Sequence, residues 1–201
     1  MELLKRVLAL GAHFDDIESG VGGTLSKHVA AGDDVFIAIT SSDEYRTGRI
    51  DNRMIEQSKA LGFLGISMKN LFCFYSDQND FDIIGILDKL RPDILYTTFE
   101  LDTHQAHVRC SHIGRSVGRK PPVQVIFYSS CSSYDFQPNF FSIIDFDFKE
   151  KLLYCFESQI YLNAINIDLI RRRESFWASL ITTESCYAEG FVIRKMIYEI
   201  C

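Results

Sequence analysis

In the stretch GAHFDDIESGVGGT (residues 11–24), His13 and the adjacent acids Asp15 and Asp16 follow directly on the apolar run VLAL. Polar side chains at the mouth of a buried strand cost free energy unless hydrogen bonds or a ligand compensate them. A second polar group, DTHQAH (102–107), follows the apolar run DILYTTF and brings Asp102, His104 and His107. Two imidazoles and a carboxylate suit a hydrolytic zinc centre, which takes three protein ligands and keeps a position for water. His13, Asp16 and His107 make one such set. The same donors suit iron, so the pattern leaves the ion open between Zn2+ and another divalent metal such as Fe2+. Neighbours in a turn point in different directions, so Asp16 can ligate while Asp15 faces the cleft as general base. His104 and His107 share a face at a helix start. One can reach a metal while the other, as an imidazolium, steadies an oxyanion.

Each signal has an ordinary explanation by itself. An Asp-Asp pair commonly caps a helix or sits in a solvated turn, and two histidines three apart often meet only on a helix surface. Their joint occurrence after strands of one expected sheet, in a chain with five histidines, favours a site. His28 and His112 fall inside helical segments and are read as structural. The run ESGVGGTL does not match the dinucleotide-binding G-x-G-x-x-G, and no G-K-[ST] phosphate loop is present. Gly20, Gly22 and Gly23 are therefore read as allowing a helix to pack closely on a strand.

The elements that must position these groups can be traced along the chain. Strands are expected over 6–12, 34–42, 70–76, 93–99, 123–130 and 189–198. Helices are expected over 22–32, started by Thr24 and closed by Gly32, and over 50–65, 81–93, 104–118, 147–158 and 163–180. The alternation predicts an α/β fold, a three-layer Rossmann-like sandwich on a mostly parallel sheet, with the metal site at the carboxyl ends of the strands. Asp43 and Glu44 follow the second strand and Asp77 and Asp80 the third, so most polar clusters fall on one sheet edge. The stretch from Phe127 to Phe148 is rich in aromatics. Tyr134, Phe136 and Phe140 belong there either to the core or to a cleft rim that touches a sugar or nucleobase.

Length and charge bound the function. A chain of 201 residues suits one domain, 1–201. Apolar residues make up 47% and charged residues 24%, as in ordinary globular proteins. A net charge of −6 argues against a nucleic-acid partner, which needs a basic face. No apolar run reaches the roughly 18 residues of a membrane span, and no secretory signal is read at the N-terminus. The six cysteines are scattered without a C-x-x-C pair and are read mostly as buried thiols in a reducing cytoplasm.

These residues carry a family resemblance. LALGAHFDDIESGVGGTL resembles the H-P-D-D-x-E…G-G-T-L segment of the LmbE-like (PIG-L) N-deacetylases, and DTHQAH resembles their D-x-H-x-D-H motif. RMIEQSKALGFLG, FKEKLLYCFESQ and YAEGF resemble three further segments in the same order. The resemblance implies zinc on His13, Asp16 and His107, Asp15 as general base, and His104 as acid and oxyanion stabiliser. It implies hydrolysis of an N-acyl, above all N-acetyl, amino sugar on a nucleotide or glycoconjugate carrier. Arg53 would contact the substrate or, alternatively, pair with Glu56 one turn on. Glu18 would steady the loop without ligating. Phe14 replaces the usual proline. Ala106 replaces an aspartate, which leaves His104 less basic or dependent on another partner such as Asp102. A formamido sugar or thiol-linked glycoside as substrate, or a non-catalytic metal-bound sugar- or nucleotide-binding module, remain alternatives; the oligomeric state is open.

Overall fold

The computed structural model describes residues 4–43, 52–119, 123–184 and 186–195. One seven-stranded sheet runs in the order β3-β2-β1-β4-β5-β7-β6. β1 (Arg6–Gly11) lies between β2 (Asp34–Ile39) and β4 (Ile94–Thr98), with β3 (Leu71–Cys73) outside β2 and β5 (Gln124–Tyr128) outside β4, all parallel. β7 (Tyr187–Lys195) runs antiparallel to β5 and to the edge strand β6 (Phe140–Ile144).

Both faces of β1 are apolar, as a parallel strand covered on each side requires. Val7 and Ala9 pack in a cluster with residues of α1 (Asp16–Ala31), α2 (Asn52–Leu64) and α5 (Phe146–Leu153). Leu8 and Leu10 face the opposite way, into a cluster with α3 (Asp80–Leu87) and α4 (Gln105–Val117). The short α6 (Glu157–Tyr161) and α7 (Ile167–Ser179) follow α5. This is the expected three-layer sandwich. The chain builds outward from β1 to β3, then crosses to β4 on the other flank of β1, so strand order reverses between β1 and β4. A crevice opens there at the carboxyl ends of the strands.

Several elements differ from expectation. α1 begins at Asp16, eight residues before Thr24, because its glycines sit where side chains would collide with the sheet. A Cβ on Gly20 would meet the Tyr128 ring at 2.1 Å, and one on Gly23 would meet Ile144 at 2.8 Å. Close packing thus accounts for these glycines, and Gly32 closes the helix at φ 86° as expected. Thr24 is an interior residue whose hydroxyl and amide donate to Glu189 at 2.5 and 2.8 Å, while the Gly23 amide donates to the same carboxylate at 2.8 Å. β7 therefore helps to fix the helix whose first residue enters the crevice. β6 lies in the aromatic stretch and is an additional strand. The helical region 147–180 contains three helices, since the chain turns at 154–156 and again before Asn166, which caps α7 by accepting from the Leu169 amide at 2.9 Å. Among the described cysteines only Cys110 is buried, and Cys131 is exposed; all five are free thiols. Glu44, the first two residues of the helix expected at 50–65, and the end of the last strand at 196–198 lie outside the described residues. Among the described residues no helix is long and apolar enough to cross a membrane.

Candidate metal centre

After Gly11 the chain reverses sharply to enter α1. Asp15 adopts a left-handed conformation at φ 96°, a strained state for a residue with a Cβ. Phe14 is fully buried in the core and anchors the turn that a proline would otherwise stiffen. The Arg53 guanidinium, reaching over from α2, donates to the Phe14 carbonyl at 2.6 Å and lies 3.5 Å from Asp15 Oδ1. The His13 amide donates to Asp16 Oδ2 at 2.8 Å, closing the loop on itself.

The second half of the site comes from the loop after β4. His104 caps α4: its Nδ1 accepts from the Ala106 amide at 3.2 Å. A neutral ring that accepts at Nδ1 carries its proton on Nε2. His107 lies in the first turn of α4, held to β4 by Thr98, whose hydroxyl donates to the His107 carbonyl at 2.7 Å. The ring centroids of His13 and His107 are 5.4 Å apart, and His104 stacks on His107 at 4.7 Å. His107 Nε2 is 3.4 Å from Asp16 Oδ1, and His13 Nδ1 is 3.5 Å from Asp16 Oδ2.

Asp102 organises this half. Its Oδ2 faces His107 Nδ1 at 3.2 Å and receives Ser130 and Ser133 hydroxyls at 2.5 and 3.0 Å. Its Oδ1 receives the Ser132 hydroxyl at 2.6 Å and the His104 amide at 2.8 Å. Asp102 therefore orients the His107 ring and only the backbone of His104, whereas the sequence suggested it as a partner for the His104 ring. The serines stand in SSCSS (129–133), a run that sequence reasoning passed over within the aromatic stretch. Its position directly after a strand was the available signal.

The electrostatics follow from burial and partners. Burial alone would raise the Asp16 carboxyl, but hydrogen bonds and charge from His107 and His13 outweigh it and hold the group well below the usual range. Burial opposes charge on His107, yet Asp16 and Asp102 push it up to about 9. His104 is lowered, first by burial and then by the neighbouring rings of His107 and His13. With Nδ1 engaged in the cap, Nε2 is the atom through which His104 can donate. Asp102 is lowered because the serine hydroxyls outweigh its desolvation.

The other expected residues are placed as follows. Glu18 lies inside α1, fully buried, and accepts from Gln57 Nε2 at 2.6 Å; burial pushes it up to about 7. Glu56 gives both carboxylate oxygens to Ser158 at 2.7 Å, so the alternative pairing with Arg53 is replaced by that contact. Asp43 accepts from the Ser76 amide at 3.0 Å, and Asp80 pairs with Arg109 at 2.7 Å. Both acids stitch loops together outside the histidine cluster. His28 bridges Asp33 and Tyr96, at 2.7 and 2.9 Å, and is structural as read. The letters G-x-S-x-G occur at GRSVG (114–118), but Ser116 sits in the last turn of α4, away from any strand-to-helix elbow.

A cavity of about 480 Å³ opens beside the histidine cluster. Asp15, Asp16 and Ser19 of α1 form one wall, the 129–131 loop another, and α7 with the turn before it a third, ending in Arg173. Tyr134 is 49% exposed and is not among the lining residues. Phe136 packs edge-on to Phe99 at 5.0 Å and near Trp177 at 5.9 Å, and Phe140 contacts Phe191 at 6.0 Å. None of the three lines this cavity: Phe136 and Phe140 pack at the sheet's antiparallel edge, while the Tyr134 amide donates to the Leu101 carbonyl at 3.1 Å, beside the loop that carries Asp102 and His104. Arg173 lies in a segment that carries no motif.

The donor set fits a single divalent ion. One ligand atom each from His13, Asp16 and His107 lie within 4.8 Å of one another. Two atoms bound to one zinc at about 2.0–2.1 Å in tetrahedral geometry are about 3.4 Å apart; His107 Nε2 lies 3.4 Å from Asp16 Oδ1 and His13 Nδ1 lies 3.5 Å from Oδ2 of the same carboxylate. With Nδ1 of His107 turned to Asp102, its Nε2 is the atom presented, the arrangement that steadies metal-binding histidines.

The chain is similar to several known proteins. A curated relative, the uncharacterized deacetylase YaiS of Escherichia coli K12, is 26% identical over 153 residues, 70% of this chain and 82% of its own. Among solved structures, the 4-carboxy-2-hydroxymuconate hydratase GalB of Pseudomonas putida KT2440 superposes with a TM-score of 0.77 at 18% identity, covering 98% of this chain and 100% of GalB. The N,N'-diacetylchitobiose deacetylase of Pyrococcus horikoshii gives 0.73 at 20% identity, over 94% of this chain and 83% of its own. Likeness at this level establishes the fold alone, and the fold hosts more than one chemistry. The family profile PIG-L: GlcNAc-PI de-N-acetylase matches residues 8–117, which include both arms of the histidine–aspartate cluster, and the chain belongs to that family of deacetylases.

Proposed function

We propose that this chain, acting as one catalytic domain over residues 1–201, is a metal-dependent hydrolase that removes an N-acyl group, in the first instance acetyl, from an amino sugar. The observation that carries this reading is the meeting of His13, Asp16 and His107 with Asp15 beside them but outside the donor set. A divalent ion held by those three, Zn2+ in this reading, would polarise the amide carbonyl and make water acidic enough to attack near neutral pH. Asp15 takes the proton of the attacking water as oxygen bonds to the carbonyl carbon. His104 donates from Nε2 to the carbonyl oxygen as charge builds there. The C–N bond then breaks, and Asp15 returns the proton to the departing nitrogen, leaving a free amine and a carboxylic acid, which loses its proton to water. Arg53 acts as a positioning residue, since its hydrogen bonds fix the turn that carries Asp15. Glu18 and Asp102 hold the two arms from behind, Asp102 by orienting His107.

The test is acid release by the zinc-loaded protein from N-acetyl and N-formyl amino sugars, free, nucleotide-linked and glycosidic. One carboxylate released per amine formed is expected. Stoichiometric zinc with no release from any member would contradict the reading and favour a metal-bound binding module.

A further inference from the structure

We propose that the substrate carries an anionic group, a phosphate or a carboxylate, next to its N-acyl group, and that Arg173 recognises it. The proposal rests on the hydrolase reading above and specifies the substrate of the same site. Among the described residues that line the cavity Arg173 is the one cation, and the same lining includes Asp15 and Asp16. Its side chain is 23% exposed. The guanidinium is held in place by stacking over Trp177 at 4.9 Å and by donation from Nη2 to the Ser19 carbonyl at 3.2 Å. Among the described residues its one ion pair is a long one. Glu174 lies 3.5 Å from Nη2, beyond a good charge-assisted hydrogen bond. The same Glu174 oxygen already takes Lys149 Nζ at 2.5 Å. Nε is buried without a partner, and no described residue accepts from Nη1. A planar fork with spare donors, fixed on an aromatic ring at the wall of a cavity, suits a bidentate oxyanion.

Position narrows the chemistry. The Ser19 amide donates to the Asp15 carbonyl at 2.9 Å, so the carbonyl that anchors Arg173 lies one turn along α1 from Asp15. One turn is about 5.4 Å. A substrate whose amide is placed at Asp15 brings a substituent of the adjacent ring carbon to that depth. For a 2-acylamino sugar this is the anomeric position. Asn166, which caps α7, and Ile170 one turn on also line the cavity, one polar and one apolar, as a sugar edge requires.

The experiment compares three probes with the zinc-loaded full chain by calorimetry: N-acetylglucosamine 1-phosphate, the carboxymethyl glycoside of N-acetylglucosamine, and its neutral methyl glycoside. The wild type should bind one or both anionic probes about 10–100-fold more tightly than the neutral one. Arg173→Gln, which can still donate to Ser19, should lose that preference. Arg173→Lys keeps the charge without the fork, should lose the larger part of it, and serves as the deciding variant if the glutamine protein does not fold. Equal affinities in the wild type overturn the proposal, as does a preference that survives both substitutions, since the anion would then sit on the metal. Acid release is measured alongside. No release with an intact Arg173-dependent preference removes the hydrolase reading alone; release with no preference removes this proposal alone.

Discussion

Two clusters of buried charge stand along α1, one beside its middle and one at its start, and they solve the same problem differently. At one, Lys149 of α5 meets Glu174 of α7 and Glu189 of β7 at 2.5 and 2.6 Å, all three fully buried. At the other, His13, Asp16 and His107 meet with a carboxylate between two rings and a second acid, Asp102, behind. The first cluster contains its cation as part of the chain, and the amides of Gly23 and Thr24 complete it. The second has no lysine or arginine among its ligating atoms. Its positive charge is a proton on His107, held there up to about pH 9 by the two acids. A proton exchanges with a metal ion; an ammonium on a buried stem does not. Charge that can leave marks a site for chemistry, whereas charge that cannot is part of the frame.

The comparison breaks most severely at Lys149. Lys149→Met strands two buried carboxylates and should cost about 3–5 kcal/mol, read by denaturant unfolding. Its metal content, corrected for folded protein, should stay that of the wild type. A loss of only a few tenths would mean that the cluster does not hold the frame. Next is Asp15→Asn, which should keep zinc and lose at least about a hundredfold in kcat on the best substrate found. Near-normal turnover would remove Asp15 from the proton transfers. Smaller again is Ser130→Ala with Ser132→Ala. Stripping Asp102 of two donors loosens His107, and zinc affinity should fall about 10–100-fold with little change in unfolding. A competition titration with a chromophoric chelator measures it.

A pH dependence also separates the clusters. His107 is raised from 6.5 to about 9 in the folded metal-free chain. The stability this contributes is fully present below pH 6.5 and is lost as pH rises through about 9. The metal-free protein should therefore lose stability across that window, while the zinc-loaded protein, whose His107 must be neutral to ligate, should not. Zinc affinity should climb over the same range, by up to about tenfold per pH unit for the one proton displaced. Parallel unfolding curves at pH 6 and 9, with and without zinc, give the answer. Identical pH profiles for the two forms would contradict it.

What the sequence could show depended on range. The two arms of the metal centre were legible because each is a short local pattern directly after an apolar strand, and the alternation of strands and helices then placed both on one edge. The start of α1 was misplaced, because the glycines that look like a loop are helix positions where Tyr128 and Ile144 leave no space for a Cβ. That pressure comes from residues more than a hundred positions away. β6 was hidden because an edge strand among aromatics lacks clean alternation. The partner of Asp102 was misassigned for the same reason: proximity along the chain suggested the His104 ring, while three serines from the β5 loop turn the carboxylate toward His107. Arg173 carried no signal, since its role comes from where α7 packs.

The most direct test is the metal content of the purified, zinc-reconstituted protein beside His13→Ala, Asp16→Ala and His107→Ala. About one equivalent of zinc in the wild type and almost none in each variant is the expected result for a three-ligand centre. A wild type that binds no divalent ion, or variants that keep a full equivalent, would contradict the account at its root.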